Sequence, residues 1–194
     1  KYNEVMNITP QPQASVTLMD QSNGEIKAMV GGRGAKGSSL SLNRAYKGAK
    51  RQPGSTFKVL AAYAPAIDAC GKTLSSTVVD EPYSYKNGKS VRNASRSYKG
   101  TVTYRTAIAN SINVCAVKVS DEITQQLGYE YCKDKFGIST LVKNKEINGK
   151  IFSDVNQTLA LGGITEGVYN YQLCAAYASI ANGGEYNTPT LYTK

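Results

Sequence analysis

With 194 residues, 41% of them apolar and 19% charged, the chain has the size and composition of one folded domain, which excludes collagen-like or disordered character. Its formal charge of +9 suits an anionic environment without choosing one. The basic residues are scattered, with one denser region at Arg44, Lys47, Lys50 and Arg51; no DNA- or RNA-binding module accompanies them, so no nucleic-acid partner is expected.

Residues 1–13 (KYNEVMNITPQPQ) are polar and carry two prolines, so they read as an extended linker, with the domain spanning 14–194. Ala14–Met19 and Glu25–Val30 read as two strands joined through Asp20–Gly24, with Asn23-Gly24 supplying the positive φ angles of a hairpin. The Gly- and Ser-rich stretch Gly31–Leu42 reads as loop. After Pro53-Gly54, Ser55 can open a buried helix through Phe57, Val59, Leu60 and Tyr63, which Pro65 should kink or end. Residues 75–100 read as irregular connection with short strands.

Thr103 is a candidate N-cap for a short helix, TYRTAIAN. A second helix is expected over Val114–Leu127, stopping at Gly128, and a third over Tyr129–Phe136, ending at Gly137. The last covers about Tyr169–Asn182 before Gly183-Gly184. This pattern is α+β, with no internal repeat.

Cys70, Cys115, Cys132 and Cys174 are far apart, and with no C-x-x-C pair and no histidine they do not form a zinc site. Two disulfides are possible by count, but Cys115 and Cys174 lie in apolar helical patterns, where a buried free thiol is the commoner meaning. No metal or other cofactor is expected. The longest apolar run is too short to cross a bilayer, and no signal peptide is present, so any export signal or anchor lies outside this segment.

In RQPGSTFK (51–58) a serine stands one helical turn before a lysine, in a chain without the histidine that usually takes a serine proton. Chance alone supplies roughly one or two S-x-x-K matches in such a chain, and S-x-N occurs both at 41–43 and at 111–113, so neither triplet is evidence in isolation. Read by residue type, Ser55 is an N-cap, Lys58 a surface lysine, and Ser111 and Asn113 helix-capping residues. Order and surroundings change that weighting. LNRA (42–45), RQPGSTFK, GTVTYRTAIANSINVCAVKV (100–119), LALGG (159–163) and AAYASIANGGEYNTP (175–189) resemble, in order, the transpeptidase domain of class A penicillin-binding proteins.

The resemblance covers nearly the whole chain from residue 14. It implies a serine β-lactamase/penicillin-binding-protein-like fold, with helices packed on an antiparallel sheet. It also implies a D,D-transpeptidase that cross-links peptidoglycan stem peptides ending in D-Ala-D-Ala, with β-lactams as inhibitors and carboxypeptidase side activity. Ser55 is then the nucleophile, Lys58 the amine that replaces histidine once burial lowers its pKa, and Ser111 a proton relay. Asn113 binds the substrate amide carbonyl and helps hold Lys58. The family's K-T-G motif is absent: Lys99-Gly100-Thr101 and Gly71-Lys72-Thr73 are permutations in the wrong place. The chain therefore reads as the front part of the domain, completed by a C-terminal fragment carrying K-T-G, Lys194 suiting either a trypsin-like nick or a designed boundary. The resemblance further implies an upstream glycosyltransferase domain and a membrane-anchored parent acting on the extracytoplasmic face of the bacterial cell membrane. A β-lactamase is disfavoured by the lack of an E-x-x-L-N loop; a noncatalytic wall-binding module is the rival of another class.

Overall fold

A computed structural model describes residues 12–35 and 37–192. Most of the expected linker, and Lys194, lie outside the described residues. The α+β class and the antiparallel pairing are as expected. In place of one sheet, however, the described residues hold four two-stranded antiparallel ribbons. Strands β1 (Val16–Met19) and β2 (Ile26–Val30) pair with Val16 opposite Val30, and the register slips between Leu18 and Met19. Asp20 N donates to Glu25 O and Gly24 N to Asp20 O, with only Gly24 at positive φ (83°), so the turn is longer than a two-residue Asn-Gly loop. Val16, Leu18 and Val30 stay more than half exposed.

In the region read as irregular, β3 (Thr77–Asp80) pairs with β6 (Gly100–Thr103), and β4 (Tyr83–Ser84) with β5 (Ser90–Val91). The fourth ribbon, β7 (Lys145–Ile147) and β8 (Lys150–Phe152), turns through Asn148 (φ 51°) and Gly149 (φ 74°). These are the two left-handed residues that a tight hairpin demands.

The helices organise the core. A 3₁₀ turn, Gly54–Thr56, leads into a π-helical turn, Val59–Tyr63, and then α1, Ala64–Ala69. This segment is shared by two apolar clusters. Phe57, Leu60 and Ala61 pack with Tyr129, Phe136, Leu159 and Ala176, while Ala62, Tyr63 and Ala66 pack with Tyr104, Cys115 and Val119. Burying each large side chain removes it from water at roughly 1.5–3 kcal/mol apiece.

Pro65 does not end this helix: it sits just where the π turn gives way to α1. Lacking an N–H, it cannot donate to Ala61 O as the fourth residue on would in an α-helix. Ala64 N instead bonds back to Val59 O, the wider π spacing. The helix α4 (Gln125–Glu130) comes in beside Ala61 O, where a Cβ on Gly128 would collide with that oxygen.

Gly128 therefore lies inside a helix and does not stop one. The break expected at Gly128 falls earlier, between α3 (Asn113–Ile123) and α4, at Thr124 (φ 75°, ψ 143°), whose hydroxyl accepts from Leu127 N. A second π turn, Tyr131–Lys135, continues from α4 to Gly137, so the expected Tyr129–Phe136 helix is the tail of a longer one. Helix α5 (Asn170–Ala181) matches the expected last helix and ends as Gly184 N bonds Ser179 O, with Gly183 and Gly184 both at positive φ. All four cysteines are free, Cys115 and Cys132 being buried and Cys174 half-buried. Among the described residues no helix is long and apolar enough to cross a membrane.

Candidate active site

Thr103 caps α2 (Tyr104–Ala109), its hydroxyl accepting from Thr106 N at 3.2 Å. The far end of α2 makes the S-x-N turn. Ser111 N bonds Ile108 O and Ile112 N reaches back to Ala107 O, both at 3.0 Å, while Ser111 takes φ 50°. These are the bonds of a Schellman stop, with Ser111 in the left-handed position that glycine usually fills. Ile112, buried in the same cluster as Ala107, supplies the hydrophobic contact that closes the motif. Asn113 then opens α3.

Holding a serine in that conformation costs on the order of 1 kcal/mol, and the side chain explains what it is for. Lys58 Nζ donates to Ser111 Oγ at 2.8 Å and to Ser111 O at 2.5 Å. Ser111→Ala and Ser111→Gly both remove the hydroxyl that accepts from Lys58, but only glycine relieves the left-handed strain, so the alanine variant should unfold at the lower urea concentration. Equal urea midpoints would remove the argument for strain.

Lys58 is 3% exposed. Burial lowers its pKa from the usual lysine range to about 8, against a smaller opposing effect of Cys115. That thiol is itself pushed up to about 12, first by its own burial, so it stays uncharged near neutrality. Lys58 bonds only to neutral oxygens of Ser111, and no carboxylate pairs with it among the described residues. An amine so placed is neutral in about a tenth of molecules at pH 7, against well under a thousandth for a free lysine.

Ser55 lies inside the 3₁₀ turn at the helix entrance and does not act as the N-cap; Pro53 holds that position. Its residue is exposed, and among the described residues its hydroxyl makes no hydrogen bond, whereas Thr56 Oγ1 bonds Pro53 O at 2.8 Å. The structure thus brings Lys58 and Ser111 together, with Ser55 one turn above Lys58. Among the described residues Asn113 makes no hydrogen bond to Lys58: its Nδ2 donates to Arg92 O at 2.7 Å.

Two supports escaped the sequence reading. Asn93, 7% exposed, accepts from the N–H groups of Asn113 and Val114 and donates to Asp80 Oδ1 at 2.8 Å, so it pins the start of α3. Gln52 bonds both ways with Ile164, and Arg51 pairs antiparallel with Val168. Gly162, at φ 70°, lies against Gly54, where a Cβ would fall 2.5 Å from Gly54 N. The words RQPGS and LALGG are therefore two sides of one contact. Nothing in local pattern marks Asn93 or Gln52, because their partners are distant in sequence.

The arrangement sets an exposed hydroxyl at a helix entrance one turn above a buried, weakly basic amine held by a second serine. The Penicillin binding protein transpeptidase domain model matches residues 14–194. The chain belongs to that family. It is 35% identical to Penicillin-binding protein 1A of Clostridium tetani, over 95% of this chain and 24% of that protein, so it spans about a quarter of that relative's length. Penicillin-Binding Protein 1A from Haemophilus influenzae superposes with a TM-score of 0.73 at 26% identity, over 92% of this chain and 24% of that one. PonA1 from Mycobacterium tuberculosis in complex with penicillin V gives 0.75 at 22% identity, over 97% of this chain and 48% of that one, a likeness of fold.

Proposed function

We propose that this chain carries the nucleophile half of a peptidoglycan D,D-transpeptidase site. The observation that supports this most is Lys58, an amine buried without a counter-charge, its pKa lowered to about 8, and bonded to Ser111 Oγ one turn below Ser55. Ser55 Oγ attacks the carbonyl joining the two terminal D-alanines of a stem peptide, and its proton passes to neutral Lys58. The tetrahedral intermediate collapses as a proton travels through Ser111 Oγ to the departing nitrogen. D-alanine leaves, and Ser55 holds the acyl group. The amine of a second stem attacks that ester, returns the proton to the serine oxygen through the same groups, and leaves an amide cross-link. Water in place of the amine gives carboxypeptidase side activity.

Asn113 binds the stem's amide carbonyl. Ser55 N–H supplies one oxyanion donor, and a further segment of the same domain, carrying K-T-G, supplies the other wall of the site. A β-lactam acylates Ser55 by the same attack, as suits a family named for penicillin binding and a fold shared with a penicillin V complex. The parent protein is anchored through a segment outside this chain, carries an upstream glycosyltransferase domain, and works on the extracytoplasmic face of the bacterial membrane.

Intact-mass spectrometry of the full-length protein with and without benzylpenicillin, followed by peptide mapping, tests this reading. One penicilloyl adduct is expected on Ser55 and none in Ser55→Ala. A folded protein that carries K-T-G and takes no adduct would instead be a noncatalytic wall-binding module.

A further inference from the structure

Beside the S-x-N turn lies a polar pocket of about 310 Å³ lined by Arg92, Asn93, Arg96 and Tyr98. Arg92 and Arg96 are exposed, and neither pairs with a carboxylate among the described residues, although six other ion pairs form there. Asn93 is more than nine-tenths buried, and each end of its carboxamide is committed. Its oxygen takes the N–H groups of Asn113 (3.1 Å) and Val114 (3.2 Å), and its nitrogen donates to Asp80 Oδ1 and Ser97 O. The turn closes as Arg96 N bonds Asn93 O at 3.1 Å, with Arg96 itself at φ 56°. The pocket and the S-x-N turn are thus one hydrogen-bonded unit, since Asn113 Nδ2 also grips Arg92 O.

We propose that this pocket binds a carboxylate of the donor stem peptide, an inference that rests on the transpeptidase reading above. Two arginines and a tyrosine lining one pocket can supply the forked donors that match a carboxylate and that a neutral amide leaves underused. A peptide whose backbone carbonyl lies on Asn113 passes next to Arg92, so an acidic group near the scissile bond reaches the pocket without leaving the chain's path. The pocket then selects donors by the charge of a side chain that takes no part in the bond being broken.

The test uses the full-length protein and two D-Ala-D-Ala peptides that are identical except that one side-chain carboxylate is a carboxamide in the second. The unsubstituted protein should prefer the acidic peptide in kcat/KM by about tenfold, and the Arg92→Gln, Arg96→Gln double variant should lower that preference to about unity. An unchanged preference in the variant, or none in the unsubstituted protein, overturns the inference. Benzylpenicillin labelling of the unsubstituted protein separates the two levels. An adduct on Ser55 with no charge preference overturns this inference alone, and no adduct overturns the acyl-transfer reading with it.

Discussion

Lys58→Met should acylate with benzylpenicillin about a thousandfold more slowly than the unsubstituted protein, the scale of a lost general base, and yet unfold at a higher temperature at pH 7. The two effects share one cause. Lys58 is almost wholly buried and its pKa falls from the usual 10.5 to about 8. Between those values the unfolded chain holds a proton on this side chain that the folded chain has released, so stability rises with pH across that window. Below pH 8 both states are protonated, and the folded state bears the full cost of a buried ammonium, about 3 kcal/mol. Methionine fills similar space without a charge and leaves the Ser111 oxygens to water. Calorimetry should therefore show the gap between the two proteins closing as pH rises from 7 towards 10. In the unsubstituted protein the acylation rate should climb with pH and level off above about 8. A pH-independent rate, or a methionine variant less stable at pH 7, would contradict the role given to this amine.

Gly162→Ala should be the most damaging of the small substitutions, costing about 3 kcal/mol or more. Gly162 holds φ 70°, and its added methyl would collide with the Gly54 carbonyl and sit 2.5 Å from Gly54 N and 2.8 Å from Gly54 C. Those are backbone atoms, which cannot swing aside as a side chain would. Either the 162–168 segment or the turn bearing Ser55 must shift, so acylation should fall together with the urea midpoint. By contrast Gly183→Ala, where the methyl meets nothing within 4 Å, suffers only the strain of its left-handed conformation. An alanine at 162 that keeps both the midpoint and the acylation rate would show that the contact is not rigid.

How far the sequence can be read depends on the range of the interaction. Thr103 as N-cap, the end of α5 at Gly183-Gly184 and a helical course beyond Ser55 follow from local propensity and are seen, although Ser55 lies inside a 3₁₀ turn and not at the cap. Gly128 misled because a glycine that stops a helix and a glycine that lets two backbones touch look alike in one dimension; only Ala61 O, contributed from far away, distinguishes them. Thr124 misled in the opposite way, as a β-branched residue gives no local hint of positive φ. The β7–β8 turn is legible in the sequence, since Asn148-Gly149 is a strong hairpin signal. At the site, ordered motifs point to Ser55, Lys58 and Ser111, and the structure adds the Lys58–Ser111 hydrogen bond. The roles of Asn93 and Gln52 emerged only when distant segments met.

The π turn ties Pro65 and Gly128 into one constraint. Proline withholds a donor from Ala61 O, and glycine brings a second helix up to the same oxygen. Restoring an N–H at 65 offers that oxygen an intrahelical partner and with it the narrower α spacing, which would rotate the residues beyond Lys58 out of their present register. A side chain at 128 would push α4 off the helix instead. Substitutions at the two positions act on the same backbone oxygen, so their effects on stability should not simply add.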